Sequence, residues 1–308
     1  MLYYLRQSFP AKGSKDDRMN SISQTAYLIA MYRALETERP DALFRDRFAH
    51  SLAGGQGQLL FEVFGRNQAA VDAIAVRTRV MDELITDLVQ TSRVTTVLSL
   101  GAGLDARPYR LPLPVSCQWI EVDIPEILEV KQTHLQGATP VCGLERMGLD
   151  LADTEQREKL FERVSDSSSN QVLILTEGLL SYLSETQVRL LAGELYRYSN
   201  FGWWLFEVIT ADLLQRSQSY WNQKLFTQYF GGENAPNLLF APENGIEFFQ
   251  PLGWQPTIFR STWEEMHRFG RGTIASNTLR VLTGWFAKER AEKIRQQSGI
   301  VLMQRWGS

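Results

Sequence analysis

The residues best suited to chemistry lie in a short stretch, Ser99-Leu100-Gly101-Ala102-Gly103-Leu104-Asp105-Ala106, directly after an apolar run at Val94 to Leu100. Glycines at such a turn let the backbone approach a ligand closely, and the helix that follows offers unpaired N–H groups. Asp123 follows 22 residues after Gly101, at the end of a second apolar run, where a carboxylate can accept both hydroxyls of an adenosine ribose. Gly101-x-Gly103-x-x-Ala106 also satisfies a dinucleotide fingerprint, so these two elements admit either a nicotinamide dinucleotide or S-adenosylmethionine.

Three further features favour the methyl donor. Asp150-Leu151 follows a third strand, where a carboxylate can accept from the adenine amino group and a backbone N–H can meet the ring. Glu177 follows a fourth, within Thr176-Glu177-Gly178-Leu179-Leu180-Ser181-Tyr182-Leu183. The resulting acidic rim repels a pyrophosphate and attracts a zwitterion bearing a sulfonium. Two late strands, Pro256 to Arg260 and Gly299 to Trp306, suggest an antiparallel edge pair in place of the second nucleotide-binding half of a dehydrogenase.

These residues need an alternating frame to hold them. Strands are expected at 94–100, 118–122, within 139–149, at 171–176 and at 203–209, with helices between, which is the pattern of a parallel sheet covered on both faces. Ahead of it, helices are expected from Thr25 to before Pro40, from Leu43 to Leu52 with a stop at Gly54-Gly55, and over 67–91 with Val71, Ile74, Ala75, Thr78, Met81, Leu84, Ile85 and Leu88 on one stripe. Residues 1–20 read as a polar arm, and Trp285 to Gln297 as a basic exposed helix. The division is a single domain over 1–308: a helical cap (1–92), a cofactor-binding core (93–210), an aromatic-rich insertion (211–247) expected to form a lid and acceptor pocket, and C-terminal edge strands with a helix (248–308).

Composition excludes several classes. A net charge of −3 gives no polybasic field for nucleic acid or an anionic membrane. No stretch without a charge, Val94 to Leu104 among them, is long enough to span a bilayer, and Met1 to Gln7 lacks the apolar core of a secretory signal, so a cytoplasmic protein is expected. Cys117 and Cys142 form no CxxC pair, and His50, His134 and His267 are isolated, so no metal site is expected.

Thr25-Ala26, Arg33-Ala34-Leu35-Glu36, Leu43-Phe44-Arg45-Asp46, Arg77-Thr78-Arg79, Leu100 to Leu111, Glu121-Val122-Asp123-Ile124-Pro125 with Lys131, Asp150-Leu151 and Glu177 to Leu183 together resemble the leucine carboxyl methyltransferase family over about residues 21–210. The resemblance implies a class I methyltransferase fold, a Rossmann-like α/β sheet that is mostly parallel, and S-adenosylmethionine as cofactor. It further implies that Arg77 grips the donor's carboxylate, Gly101, Ala102 and Gly103 line its methionine part, Asp123 holds the ribose, Asp150 with Leu151 holds the adenine, and Glu177 lies by the amino group. A guanidinium at Arg77 has the bidentate geometry a carboxylate prefers. Arg107 and Arg110, at a helix N-terminus, are expected to pair with acids such as Asp105 or Glu121.

The family's protein-directed branch has a lysine-bearing N-terminal segment to which neither Lys12 nor Lys15 aligns, which leans the reading toward O-methylation of a small molecule, free or carrier-bound, such as a polyketide or peptide natural product. Protein carboxyl methylation and a non-catalytic donor-binding domain are the alternatives. Tyr182 and Tyr27 are the hydroxyls expected near the acceptor.

Overall fold

The computed structural model describes residues 15–64, 66–91, 94–168, 170–215, 238–271 and 295–307. Most of the expected arm, most of the expected lid and nearly all of the expected basic helix therefore lie outside the described residues.

Three helices come first: α1 (Lys15–Glu38), α2 (Ala49–Val63) and α3 (Gln68–Thr91). Two expectations are corrected here: α1 begins ten residues before Thr25, taking in the polar Lys15 to Asn20, and α2 begins at Ala49 rather than Leu43. The expected stop at Gly54-Gly55 is a break: Gly54, at φ 53° and ψ −163°, is non-helical, and α2 is two helical runs across this kink, the second reaching Val63. The kink suits a residue without a Cβ. A side chain on Gly57, by contrast, would lie 2.6 Å from the Tyr27 carbonyl oxygen, so this small residue sets how closely α2 crosses α1.

The sheet follows: β1 (Val94–Leu100), α4 (Arg107–Arg110), β2 (Gln118–Asp123), α5 (Pro125–His134), β3 (Gly143–Gly148), α6 (Thr154–Ser167), β4 (Gln171–Thr176), α7 (Glu185–Tyr196), β5 (Phe201–Ile209), β6 (Trp254–Ser261), α8 (Thr262–Arg268) and β7 (Ser298–Arg305). A 3₁₀ turn at Leu180–Tyr182 precedes α7, and a 3₁₀ segment at Gly245–Leu252 precedes β6. Strand order is β3-β2-β1-β4-β5-β7-β6. Strands β1 to β5 pair in parallel, and β7 runs antiparallel to both β5 and β6, giving the expected C-terminal edge pair.

Side-chain alternation divides the core between the two faces. Leu98, Ile120, Ile174, Trp204 and Phe206 pack on one face with Phe161 of α6 and Leu191 of α7. Val97, Trp119, Leu173, Leu175 and Leu205 pack on the other with Val80, Met81 and Ile85 of α3. The same parity sends Glu207 of β5, two residues beyond Leu205, to the α3 face.

A buried polar cluster beside β2 interrupts this apolar packing. Lys131 Nζ of α5 lies 2.7 Å from Glu121 Oε1 of β2, both side chains fully buried, and Arg146 of β3 reaches Glu121 Oε2 at 2.9 Å. Glu121 and Arg146 are register partners, so the pair follows from strand alignment. Breaking a buried pair by removing one partner leaves an uncompensated charge and costs about 3 kcal/mol or more. Lys131→Met is accordingly expected to lower the unfolding free energy measured by urea titration by about 3 kcal/mol, seen as a lower midpoint; an unchanged midpoint would mean that Arg146 alone neutralises Glu121.

Candidate active site

The parallel strands β1 to β4 present their C-terminal ends on one side of the sheet, and the connections leaving them form a cavity of about 490 Å³. Arg77, Gly101, Ala102, Gly103, Asp123, Asp150, Leu151, Glu177 and Tyr182 all line it. Tyr27 is not among the lining residues; it packs beside Met31 and Leu60 where α1 meets α2, and its expected place near an acceptor is corrected to the cap's interior.

Local backbone geometry shapes the glycine turn. The Gly101 and Ala102 N–H groups donate to the Val122 carbonyl oxygen at 2.9 and 3.0 Å, bending the chain over the end of β2. Gly101 and Gly103 have φ values of 68° and 50°, in the left-handed region that favours glycine. A Cβ on Gly101 would sit 3.4 Å from Leu179, so the turn is also closely packed. The Gly103 N–H donates to Asp123 Oδ2 at 2.7 Å and the Ile124 N–H to Oδ1 at 2.8 Å. Each carboxylate oxygen retains acceptor capacity for a ligand hydroxyl. Burial raises the Asp123 pKa, and these two N–H groups oppose the rise. Farther along the rim, Asp150 Oδ1 accepts the Ala152 N–H at 2.8 Å, and Arg157, paired with Glu194 of α7, donates to the Leu151 carbonyl.

Charged side chains converge at the other end. Arg77 Nη2 of α3 lies 2.9 Å from Glu177 Oε1, and its Nη1 lies 3.3 Å from Glu207 Oε1. Glu177 Oε2 meets Arg107 Nη1 at 2.5 Å. Arg107 also bonds Asp105 at 2.9 Å and Asp82 of α3 at 2.7 Å, while Arg110 pairs with Asp82 at 2.5 Å. Asp105 is thus an expected partner found; Glu121 is not, because Lys131 and Arg146 occupy it. Burial pushes the Glu177 carboxyl up, but Arg107 and Arg77 outweigh it and hold the pKa below its ordinary value. Glu207 behaves oppositely: burial raises its pKa, with Arg77 and the Gly178 N–H too weak to reverse it.

Glu207 is the cavity residue that the sequence reading passed over. Its signal was available: an acidic residue inside the apolar strand Phe201-Gly202-Trp203-Trp204-Leu205-Phe206-Glu207-Val208-Ile209. A charge there needs partners, and it receives the Gly178 N–H at 2.6 Å as well as Arg77. Thr25 and Ser181 also line the cavity, with the Tyr182 hydroxyl 3.5 Å from Thr25 Oγ1 and its pKa raised by burial.

The residue set fits an adenosyl amino acid. An acceptor at a strand end stands ready for a diol, and at the opposite end a donor, Arg77 Nε, and two acceptors, Glu177 Oε1 and Glu207 Oε2, are buried without hydrogen-bond partners among the described residues. The family model for leucine carboxyl methyltransferase matches residues 26–195, more than half of the chain. The chain belongs to that family. Among family-level relatives, a "putative S-adenosyl-L-methionine-dependent methyltransferase" of Streptomyces coelicolor is 34% identical over 186 residues, covering 58% of this chain and 65% of its own. One of the same description from Mycobacterium sp. strain KMS is 34% identical over 181 residues, covering 54% and 59%. The matched part therefore spans about three fifths of these relatives' length.

Solved structures agree on the fold. A DUF574 family protein from Streptomyces avermitilis superposes with TM-score 0.53 at 11% identity, covering 91% of this chain and 97% of its own. A "putative methyltransferase" from Thermobifida fusca gives 0.50 at 13% identity, covering 90% and 95%. The fold is that of the class I methyltransferases, as the family resemblance implied. No helix among the described residues is long and apolar enough to cross a membrane, and no metal-binding cluster of His, Cys, Asp and Glu occurs among them.

The Glu207 shift carries a sign that can be measured. A carboxyl whose folded pKa is raised stabilises the fold below its unfolded value of about 4.3, and that contribution is lost as pH rises through the folded value. Near neutrality Glu207, facing Arg77, Glu177 and Tyr182, therefore costs stability relative to acid pH. Glu207→Gln is expected to melt a few degrees higher than the wild type at pH 7, with the difference shrinking toward pH 4. A lower melting temperature at pH 7 would show that the Arg77 pairing outweighs burial.

Proposed function

We propose that the protein is an S-adenosylmethionine-dependent O-methyltransferase acting on a hydroxyl or carboxyl of a small molecule. The observation that carries this reading is the single cavity onto which Gly101 to Gly103, Asp123, Asp150-Leu151 and the Arg77–Glu177–Glu207 cluster all open. Its volume is within the ~300–1,000 Å³ of small-molecule and cofactor sites.

In this reading the free lone pairs of Asp123 accept the ribose hydroxyls. Asp150 and Leu151 flank the adenine, Gly101, Ala102 and Gly103 permit close approach of the methionine part, and Arg77 offers its guanidinium to the carboxylate. The bound donor supplies an electrophilic methyl group on a positively charged sulfur. The chain's task is then to aim an acceptor oxygen at that methyl and to exclude water. Ile29, Ile74 and Leu238 furnish apolar wall, while Thr25 and Tyr182 furnish hydroxyls that can orient a polar group on the acceptor. A carboxylate acceptor needs no base, whereas an alcohol or phenol needs a proton acceptor. The family's description favours carboxyl methylation, including that of a protein C-terminus, as the second reading.

Calorimetric titration with S-adenosylmethionine, S-adenosylhomocysteine and NAD tests the donor. Micromolar binding of the first two and none of NAD is expected. Asp123→Ala, which removes hydrogen bonds to a charged acceptor, should weaken both by about 10- to 100-fold. Binding of NAD alone would make Gly101, Gly103 and Ala106 a dinucleotide site. Labelled methyl transfer to hydroxylated natural products, to carboxylic acids and to a peptide C-terminus then separates the acceptor classes.

A further inference from the structure

The connection leaving β3 is gripped by a buried ion pair between two helices. Arg157 of α6 and Glu194 of α7 meet fork to fork, Nε on Oε2 and Nη2 on Oε1, each at 2.8 Å, with both side chains buried. That pairing leaves Nη1 for a third partner, and it donates to the Leu151 carbonyl oxygen. Arg157 lines the cavity; Glu194 is not among the described lining residues and holds Arg157 from behind. Neither residue belongs to the short segments on which the family resemblance rests.

The Leu151 carbonyl and the Ala152 N–H belong to one peptide unit, and a peptide unit is planar. Its two ends are held by different side chains: Arg157 takes the carbonyl, and Asp150 Oδ1 accepts the N–H at 2.8 Å. Turning the carbonyl away from Arg157 would therefore turn the N–H away from Asp150 and release the carboxylate. The same turn is tied to α6 through Asp153, whose N–H meets the Asp150 carbonyl oxygen at 3.0 Å and whose side chain caps the helix. We infer that Arg157, seated on Glu194, is a positioning residue that sets the purine specificity of the donor pocket: it fixes the 151–152 peptide plane, and that plane orients the Asp150 carboxylate toward a 6-amino group. An ionised carboxylate only accepts hydrogen bonds, so a 6-aminopurine satisfies it, whereas a 6-oxopurine sets an acceptor against it. An Asp150 side chain free to turn would swing away from the oxo group, so discrimination depends on the fixation as well as on the carboxylate. A pair that only braced α6 against α7 would affect both purines alike.

This inference rests on the donor reading above, and binding measurements separate the two. The probes are S-adenosylhomocysteine and S-inosylhomocysteine, which carry an amino and an oxo group at the purine 6-position, titrated by calorimetry. Wild-type protein is expected to prefer the first by about 10- to 100-fold, the range for a hydrogen bond to a charged group. Arg157→Met is expected to narrow that preference about ten-fold, nearly all of it through weaker binding of S-adenosylhomocysteine. Asp150→Ala removes the group that Arg157 orients, and in that background Arg157→Met is expected to change the ratio no further; this non-additivity is the signature of action through Asp150. Arg157→Met alone leaves Glu194 buried without its counter-charge, so Arg157→Met with Glu194→Leu, which removes both charges together, is measured beside it. The double variant is expected to show the same narrowed preference. A melting curve for each variant separates lost positioning from a lost fold, and the wild-type preference is measured without any variant.

A wild-type protein indifferent between the two purines would overturn the role assigned to Arg157 while leaving the donor reading intact. Arg157→Met that weakens both ligands equally or neither, or a double variant that keeps the wild-type preference, would do the same. Further narrowing by Arg157→Met in the Asp150→Ala background would overturn the route through Asp150. Failure of wild-type protein to bind S-adenosylhomocysteine at all would overturn both readings.

Discussion

Arg107 is the point at which the separate parts of this structure are held to one another. Its guanidinium is almost wholly removed from solvent and bonds three carboxylates: Asp82 on α3, Asp105 beyond the glycine turn, and Glu177 beyond β4. Arg110 shares Asp82, and Asp46 lies 3.8 Å from Arg110 and 3.6 Å from Arg33 of α1. Arg33 in turn donates to the Leu104 carbonyl at 2.7 Å. The network thus joins the helical cap to the connections leaving β1 and β4. Such pairs are weak evidence for net stability, because desolvation offsets most of the attraction and an apolar replacement of similar shape is often neutral. What they determine here is location: a guanidinium with three partners from three segments fixes the distances between those segments more narrowly than interchangeable methyl groups would.

The cavity follows from that cross-linking together with sheet geometry. Parallel pairing puts the ends of β1, β2, β3 and β4 on one side, so their connections must share a rim. Arg77 and Asp82 belong to the same helix, α3, so the helix that supplies a cavity cation also supplies an anchor for Arg107. Displacing α3 along the sheet would shift both together. The alternation of β5 completes the arrangement, because the parity that buries Leu205 under α3 brings Glu207 to Arg77.

Much of this was legible in the sequence wherever a local rule had no competitor. Strands β1 and β4 occupy the expected 94–100 and 171–176, because continuous apolar runs bounded by turn residues have few other uses in a buried parallel sheet. The start of α1 was not legible: Lys15 to Asn20 carry no apolar stripe, and polar residues read equally well as an arm. The break at Gly54-Gly55 was legible, since Gly54 adopts a non-helical conformation; the second helical run to Val63, which meets α1 at Gly57, was not, because that contact is tertiary. Asp105 was foreseeable as a partner of Arg107 because it is two residues away; Asp82 and Glu177 were not, since contacts across 25 and 70 residues depend on the tertiary arrangement. Tyr27 and Tyr182 illustrate the same limit: Tyr27, within an apolar helix, read more readily as a core residue and packs in the cap, while only the tertiary arrangement brings Tyr182 to the cavity.

The arrangement around Arg77 also bears on why a cavity retains buried charge that its own partners do not satisfy. A polar atom buried without a partner costs roughly 1–3 kcal/mol, more if charged, and a fold selected for stability alone would be expected to fill the space or pair the group. Here an N–H on Arg77 and one oxygen each on Glu177 and Glu207 lie without hydrogen-bond partners among the described residues on the wall of the same cavity, with the carboxylates 2.9 and 3.3 Å from the guanidinium. The Gly178 N–H and Arg77 Nη1 both meet Glu207 Oε1, while Arg77 Nη2 faces Glu177, so neither carboxylate pairs with the guanidinium through both of its oxygens. Gly178 itself has φ 72°, a conformation in which glycine is favoured, so the backbone geometry that aims its N–H at Glu207 is written in the residue type that follows Glu177. The free energy that these unsatisfied atoms withhold from the empty fold is available to whatever ligand supplies the missing donors and acceptor.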